Sequence, residues 1–381
     1  MRKLPARVRM MLMLFIFVCL QAYAGWHLKL FIGEWLNLGG AAFEAVFWPL
    51  YVIVAFGYLF SRLLRKRLPG PVVLTWKRAG AYWVAVFEYA VVLLPFADLA
   101  AWLLRALSIS NADAILYVGS AVIVLMLAIM LRGSWNAWSP IVREYAVAID
   151  KPAGGLKELR IAVASDLHLG TTVGRRHLDR LVRRANALEP DLMLLPGDVL
   201  DDDVEPFVRF NFGDQLAQIK AKFGTYAVLG NHEYYGGGID IYVKAMHGLG
   251  IPVLLDETVT IGDGVYLIGR KDKTDRDRAS VAELTAVLND DKPRILMDHQ
   301  PSAIREIAGA GVDLSLHGHT HRGQMAPNHW ITRRIFELDW GYKQFGSLHA
   351  FVSSGFGTWG PPIRIGSRSE ILFITVRFGC Q

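Results

Sequence analysis

At 381 residues the chain has room for two or three domains of about 150 residues each. Hydrophobic residues make up 52% of it and mean hydropathy is +0.28. Both argue against a wholly soluble protein, and the excess lies in the first 140 residues. Much of the net charge of +6 flanks apolar stretches, which points to membrane topology, so no nucleic-acid partner is expected. The two cysteines, Cys19 and Cys380, stand at opposite ends, which argues against a disulfide framework and against thiolate metal ligands.

Arg2, Lys3, Arg7 and Arg9 precede an almost purely apolar run from Met10 to Leu20. Ala22-Tyr23-Ala24 resembles a signal-peptidase site, so this segment reads either as a cleaved signal peptide or as a first transmembrane helix. No Arg-Arg pair precedes it, against twin-arginine export. Three more spans are expected, at about Ala41–Phe60, Ala81–Leu104 and Ile115–Leu131. Each approaches the ~20 residues that cross the hydrocarbon layer.

Arg62, Arg65, Lys66, Arg67, Lys77 and Arg78 make the second connection basic, whereas Ser108–Asp113 carries no Lys or Arg. The positive-inside rule then puts the N-terminus and the 62–78 loop in the cytoplasm. After four crossings the C-terminal domain faces it too. The expected localisation is therefore the inner (cytoplasmic) membrane, multi-pass, with the catalytic domain on the cytoplasmic side. Glu44, Glu88 and Asp98 lie in or beside the spans and read as bundle-facing structural groups rather than a transport path.

Residues 133–158 read as a linker, with Trp135, Trp138 and Pro140 suited to an interface and Lys151–Gly155 as a turn-rich lead-in. From 159 onwards strand and helix patterns alternate. Strands are predicted at 159–165, 192–196, 225–229, 265–269, 294–298, 313–316, 349–353 and 371–376, and helices at 175–188, 206–221, 239–249, 279–288 and 301–309. This predicts an α/β layered domain over 159–381 behind an all-α membrane region over 1–132.

Five of the apolar runs end in polar residues able to bind metal. Leu159–Ala164 leads to Asp166 and His168; Leu194-Leu195-Pro196 leads to Gly197-Asp198. Ala227-Val228-Leu229 leads to Gly230-Asn231-His232-Glu233, Arg294–Met297 to Asp298-His299, and Leu314-Ser315-Leu316 to His317-Gly318-His319-Thr320-His321. Asp-x-His alone is a weak signal. Five strand-then-ligand units in one order are not, and open α/β sheets place their sites at the carboxyl ends of strands. If the chain is still extended at Asp166 and His168, both side chains point the same way and reach one ion.

In this order the motifs resemble the calcineurin-like metallophosphoesterase superfamily over about 159–376. Gly-Asp-Val-Leu-Asp, Leu-Gly-Asn-His-Glu-Tyr-Tyr, Asp-His-Gln-Pro and Gly-His-Thr-His-Arg-Gly-Gln resemble its bacterial membrane-associated branch, which includes enzymes similar to UDP-diacylglucosamine pyrophosphatases. The resemblance implies a two-sheet sandwich flanked by helices. It implies one metal held by Asp166, His168 and His321, a second by Asn231, His299 and His319, and Asp198 bridging both. His232 stays off the metals and faces the substrate.

The expected cofactors are two divalent ions, Mn first, with Zn or Fe as alternatives, because mixed N/O donors without sulfur suit them. Two such ions supply a nucleophilic hydroxide near neutral pH. Glu233 is expected to orient His232, and Asp298 to support His299. Arg322 is expected to grip a second phosphate and Asn231 to help hold substrate. Arg175 and Arg176 read as a solvated helix face, with a phosphate clamp as the alternative; Asp201–Asp203 reads as a solvated loop, with Asp201 capping or ordering the metal loop as the alternative; His317 reads as structural. Gly355–Pro362 reads as a pocket lip or a packed loop. The aromatic stretch from Trp330 to Phe345 reads as dipping to the bilayer, holding an acyl chain or packing in the core.

The expected function is a membrane-anchored phosphoesterase that hydrolyses a phosphodiester or diphosphate, with a lipid-linked substrate such as UDP-diacylglucosamine. The alternatives are a phosphatase or phosphodiesterase on soluble nucleotides or phosphoproteins, and a non-catalytic metal-binding membrane sensor.

Overall fold

The structure is a computed structural model that describes residues 5–64, 67–68 and 70–379; Arg2, Lys3, Arg65, Lys66 and Cys380 lie outside the described residues. The chain divides into two compact units, Met1–Arg132 and Gly133–Gln381.

The first unit is helical: α1 (Ala6–Leu36), α2 (Gly40–Ala55), α3 (Gly57–Leu63), α4 (Gly70–Ala106) and α5 (Asn111–Trp138), the last ending beyond the unit boundary. Helices α1, α4 and α5 have 31, 37 and 28 residues, each more than the ~20 needed to cross a bilayer. The second predicted span is corrected. α2 has only 16 residues, ~24 Å of helix, and the helical backbone breaks at Phe56 (φ −105°, ψ 10°) before α3 begins. Among the described residues, three helices, not four, are long and apolar enough to span by themselves.

Several polar groups in this unit bond to one another, as hydrocarbon favours. Lys29 Nζ lies 2.7 Å from Glu44 Oε1. Tyr23 and His27 both reach the Asp98 carboxylate. The Gln21 side chain accepts the Tyr51 hydroxyl at 2.9 Å. Glu44 and Asp98 thus tie helices together.

The second unit begins with β1 (Ile141–Ile149), β2 (Glu158–Val163), α6 (Arg175–Ala187), β3 (Leu192–Pro196), α7 (Val204–Arg209), α8 (Phe212–Leu216) and β4 (Thr225–Val228). Next come α9 (Asn231–Gly236), α10 (Ile239–Gly248), β5 (Glu257–Ile261), β6 (Val265–Gly269), α11 (Val281–Thr285), β7 (Arg294–Met297), α12 (Ile304–Gly309) and β8 (Leu314–His317). It ends with α13 (His329–Ile335), β9 (Gly341–Phe345), β10 (Leu348–Val352) and β11 (Glu370–Phe378). One sheet has the order β1-β11-β2-β3-β4 and the other β5-β6-β7-β8-β10-β9.

The pleat sorts side chains into layers. Leu159, Ile161 and Val163 of β2, Leu192 and Leu194 of β3, and Ile295 and Met297 of β7 meet between the two sheets. The alternate residues Ala162, Met193 and Leu195 face Leu178 and Leu181 of α6, Phe212 of α8 and Met246 of α10. Leu296 faces Ile304 and Ile307 of α12 on the far side of the second sheet. The result is the expected two-sheet α/β sandwich with helices on both outer faces. Fully burying one such side chain is worth roughly 1.5–3 kcal/mol.

Three more expectations need correction. Residues 133–158 are not a linker: β1 pairs in parallel with β11 from Ile141↔Glu370 to Ile149↔Phe378, so the sandwich starts before residue 159. Most of β1 is only partly buried, which hid its pattern. The helix predicted at 206–221 is two short helices, broken where Asn211 takes a left-handed backbone (φ 51°). The aromatic stretch after residue 329 forms α13 and β9 and splits in role: Leu338 is buried, while Trp330 and Ile335 are exposed.

Candidate metal centre

β2, β3 and β4 run parallel in one sheet, as do β7 and β8 in the other. Each motif follows the carboxyl end of one of these strands, so five loops supply one site. The extended-chain argument for Asp166 and His168 fails. β2 ends at Val163, and both residues hold left-handed backbones (φ 54° and 47°). Asp198, His319, His321 and Arg322 do the same at φ 52°, 71°, 49° and 52°. Such conformations cost of order 1–3 kcal/mol each and cluster at functional sites.

Neighbouring backbone holds these loops in place. Phe356 N–H and Gly357 N–H donate to the Ser165 and Asp166 carbonyls, each at 2.8 Å, so the Gly355–Pro362 stretch packs against the first motif. A Cβ on Gly318 would overlap Asp166 Oδ2, and one on Gly230 would overlap Asp198 Oδ1. These glycines leave the space that the two carboxylates occupy.

The donor atoms converge in two groups. In the first, His168 Nε2 lies 3.0 Å from His321 Nε2, and His321 Nε2 lies 3.5 Å from Asp166 Oδ1. In the second, His299 Nε2 lies 3.0 Å from Asp198 Oδ2, with His319 in the same group. Asn231 Oδ1 is 2.8 Å from His319 Nδ1. Asp198 Oδ2 also lies 3.9 Å from His168 Nε2, so its carboxylate stands between the groups. His232 falls within the same reach of His168 and Asp198.

The fit to cations is chemical as well as geometric. Asp166 Oδ2 is buried without a hydrogen-bond partner among the described residues, a costly state unless an ion compensates. Burial holds His168 and His319 down to about 3 and 4, and His321 well below its usual range. These imidazoles are therefore neutral, the form that binds metal. Burial would raise Asp198, but the His299 ring against it holds it ionised, far below the usual carboxylate range. The residues present fit two divalent cations.

His232, like His299, differs from these three imidazoles. Burial disfavours its charge, yet a 2.7 Å contact from Nδ1 to Asp202 Oδ1, helped by Asp198, raises its pKa above the usual value. Asp202, read from sequence as solvated, is the residue that orients it. Glu233 does not. Its carboxylate accepts the N–H groups of Gly230, Leu200 and Asp198 at 2.7, 2.8 and 3.1 Å, pinning two motif loops together. Asp298 does not support the His299 ring either: it meets Arg270 and Arg278 at 3.3 Å, while His299 Nδ1 bonds to the Pro196 carbonyl. Both ring nitrogens of His317 are used, by Asp298 O and Ser315 Oγ, as a structural role requires.

Arg322 sits with its guanidinium 3.9 Å over the Trp340 ring. Sequence reasoning missed fully buried Arg364, which bonds to Gly357 O at 2.6 Å and lies 3.3 Å from His321 Nδ1. It missed Tyr235 too; with Trp359, in the stretch read as a pocket lip, its exposed ring flanks His232, with centroids 5.6 and 6.2 Å away. Gln324 of the last motif holds Trp359 by bonds to both its N–H and its carbonyl. A signal existed for Asp202, in the acidic run four residues after Asp198; none existed for Arg364.

Comparison with known proteins adds the following. A family described as "Calcineurin-like phosphoesterase" matches residues 159–323. An "Uncharacterized metallophosphoesterase" of Helicobacter pylori is 34% identical over 65% of this chain and 67% of its own length. One from Aquifex aeolicus is 33% identical over 62% of this chain and 91% of its own length. A "Transmembrane protein with metallophosphoesterase domain" from Danio rerio is 31% identical over 63% of this chain and 58% of its own length.

Proposed function

This chain belongs to the calcineurin-like phosphoesterases, and from that premise we propose that it is a membrane-anchored dinuclear enzyme cleaving a phosphodiester or diphosphate on a lipid-linked substrate. It is a membrane protein and a hydrolase acting on phosphoester bonds. The observation that carries the finer reading is the position of Asp198, whose carboxylate lies 3.0 Å from His299 Nε2 in one donor group and 3.9 Å from His168 Nε2 in the other.

Asp166, His168 and His321 would hold one divalent ion, and Asn231, His299 and His319 the other, with Asp198 serving both. When bound, the two ions polarise phosphoryl oxygen and lower the pKa of water. Mn suits the donor set best, with Zn or Fe next. His232 keeps a proton at Nε2 while Asp202 holds Nδ1, and it donates to the phosphoryl or leaving oxygen. A general acid of this kind contributes about 10²–10⁴-fold. Glu233 keeps Asp198 and Asn231 in register through the three backbone bonds it accepts. Tyr235 and Trp359 border the leaving-group side, next to His232.

We place the catalytic domain in the cytoplasm, at the inner membrane. Arg7, Arg9 and the basic 62–78 loop support this under the positive-inside rule. It requires α2 and α3 together to make one crossing.

The test uses full-length protein in detergent, stripped of metal and given back Mn, Zn or Mg. Hydrolysis of an aryl phosphodiester that needs added metal, and a preference for lipid-linked diphosphates over soluble nucleotides, are expected. Preference for soluble nucleotides would replace the lipid reading. Two bound ions with no turnover of any phosphoester or diphosphate would favour a metal-binding sensor.

A further inference from the structure

We propose that helix α13 is a bilayer-contacting element that docks the catalytic unit onto an anionic lipid surface. It is seven residues long, His-Trp-Ile-Thr-Arg-Arg-Ile, and none of them is buried. Trp330, Ile331 and Ile335 are 64%, 59% and 66% exposed. With Arg334 they occupy positions i, i+1, i+4 and i+5, which fall on one helical face. Arg333 borders that face, and the helix contains no acidic residue. No other helix of this unit exposes three large apolar side chains among the described residues.

Three such side chains on water-facing helix surface are costly. Trp and Ile beside Arg, without acids, match the acyl–headgroup boundary, where indole and guanidinium both find partners. Arginine in place of acid selects anionic headgroups. Among the described residues, the chain carries three helices able to span a bilayer, so a lipid surface is a partner the same chain meets.

The inner side of α13 is tied to the metal centre. Thr332 Oγ1 donates to Asp339 Oδ2 at 2.7 Å, and Thr320 Oγ1, between His319 and His321, donates to Asp339 O at 2.6 Å. The Phe336 ring meets His319 edge-on, with centroids 5.9 Å apart. Ile335 and Phe336 also wall a cavity of about 590 Å³ whose other side is Pro301, Ala303 and Ile304, with Lys273, Arg305, Glu306 and Glu337 also lining it. Docking α13 brings this cavity, next to the His299 and His319 loops, to the lipid surface.

The experiment reads probe depth, not turnover, so it stands or falls apart from the phosphoesterase reading. Full-length protein carrying Cys19→Ser and Cys380→Ser receives either Ile331→Cys or, as an exposed control, Val287→Cys. Each is labelled with a polarity-sensitive fluorophore and placed in nanodiscs containing phosphatidylserine and spin-labelled lipid. The Ile331→Cys probe is expected to be quenched at least threefold more than the control. Adding Arg333→Glu and Arg334→Glu is expected to remove most of that difference while metal content and thermal midpoint stay unchanged. Equal quenching at both positions overturns the proposal. A blue shift at Ile331→Cys that grows with the number of chains per disc, without quenching, also overturns it and assigns the face to a second copy.

Discussion

The two donor groups of the metal centre are built differently. In the first, Asp166, His168 and His321 all hold left-handed backbones, and the restraint comes from outside, through Phe356, Gly357 and Arg364. In the second, His299, two residues past β7, and Asn231, which opens α9, stand on ordinary backbone, while His319 and the shared Asp198 are left-handed (φ 71° and 52°); side-chain contacts position the first two: His299 to the Pro196 carbonyl and to Asp198, Asn231 to His319. The first site is therefore a strained arrangement kept in place by a distant loop. The second combines two residues placed by where the strands end, His299 and Asn231, with two left-handed ones, His319 and Asp198. Damage to the 355–364 loop should empty one site and spare the other.

The largest effect should come from Asp198→Asn, which weakens the residue common to both groups: metal analysis should find neither site filled, and turnover should fall to background. His232→Ala should lower kcat about 10²–10⁴-fold while both metals stay, separating chemistry from binding. Gly357→Ala tests the contrast itself, because its Cβ would overlap the Leu167 carbonyl. It should weaken the first metal roughly 10–100-fold, leaving one ion per chain at limiting metal; loss of both ions together would show that the groups are not independent. Asp202→Asn should cost about tenfold in kcat, moving the limb of the pH profile that reports His232 to lower pH.

The smallest effect concerns the loop's anchor. His177 Nε2 lies 3.0 Å from the Phe356 carbonyl, and burial lowers its pKa to about 4. A histidine depressed in the folded state stabilises the fold fully above its unfolded pKa of about 6.5. That stability, about 3 kcal/mol, is lost as pH falls from about 6.5 to 4. The thermal midpoint of metal-free protein should fall across this window, and less steeply in His177→Gln.

The residues of both donor groups were legible because each closes an apolar run, and the two-sheet architecture followed from the family those motifs resemble. What escaped depended on contacts distant in sequence. β1 is mostly half-buried and gains its partner, β11, some 230 residues later, so local pattern could not separate it from a linker. Asp202 looked solvated because its partner His232 is brought in by another loop. Asp166 and His168 were assigned to one ion through extended-chain geometry that the backbone does not adopt; their convergence comes from two left-handed residues instead. The break at Phe56 interrupts a run of apolar residues in which hydropathy alone sees no boundary.

Titrating metal into stripped full-length protein while following hydrolysis of an aryl phosphodiester tests the central claim most directly. The account predicts that activity rises only as the second equivalent binds, and that His232→Ala binds the same two equivalents with almost no turnover. Full activity with a single ion, or unchanged turnover in His232→Ala, would contradict it.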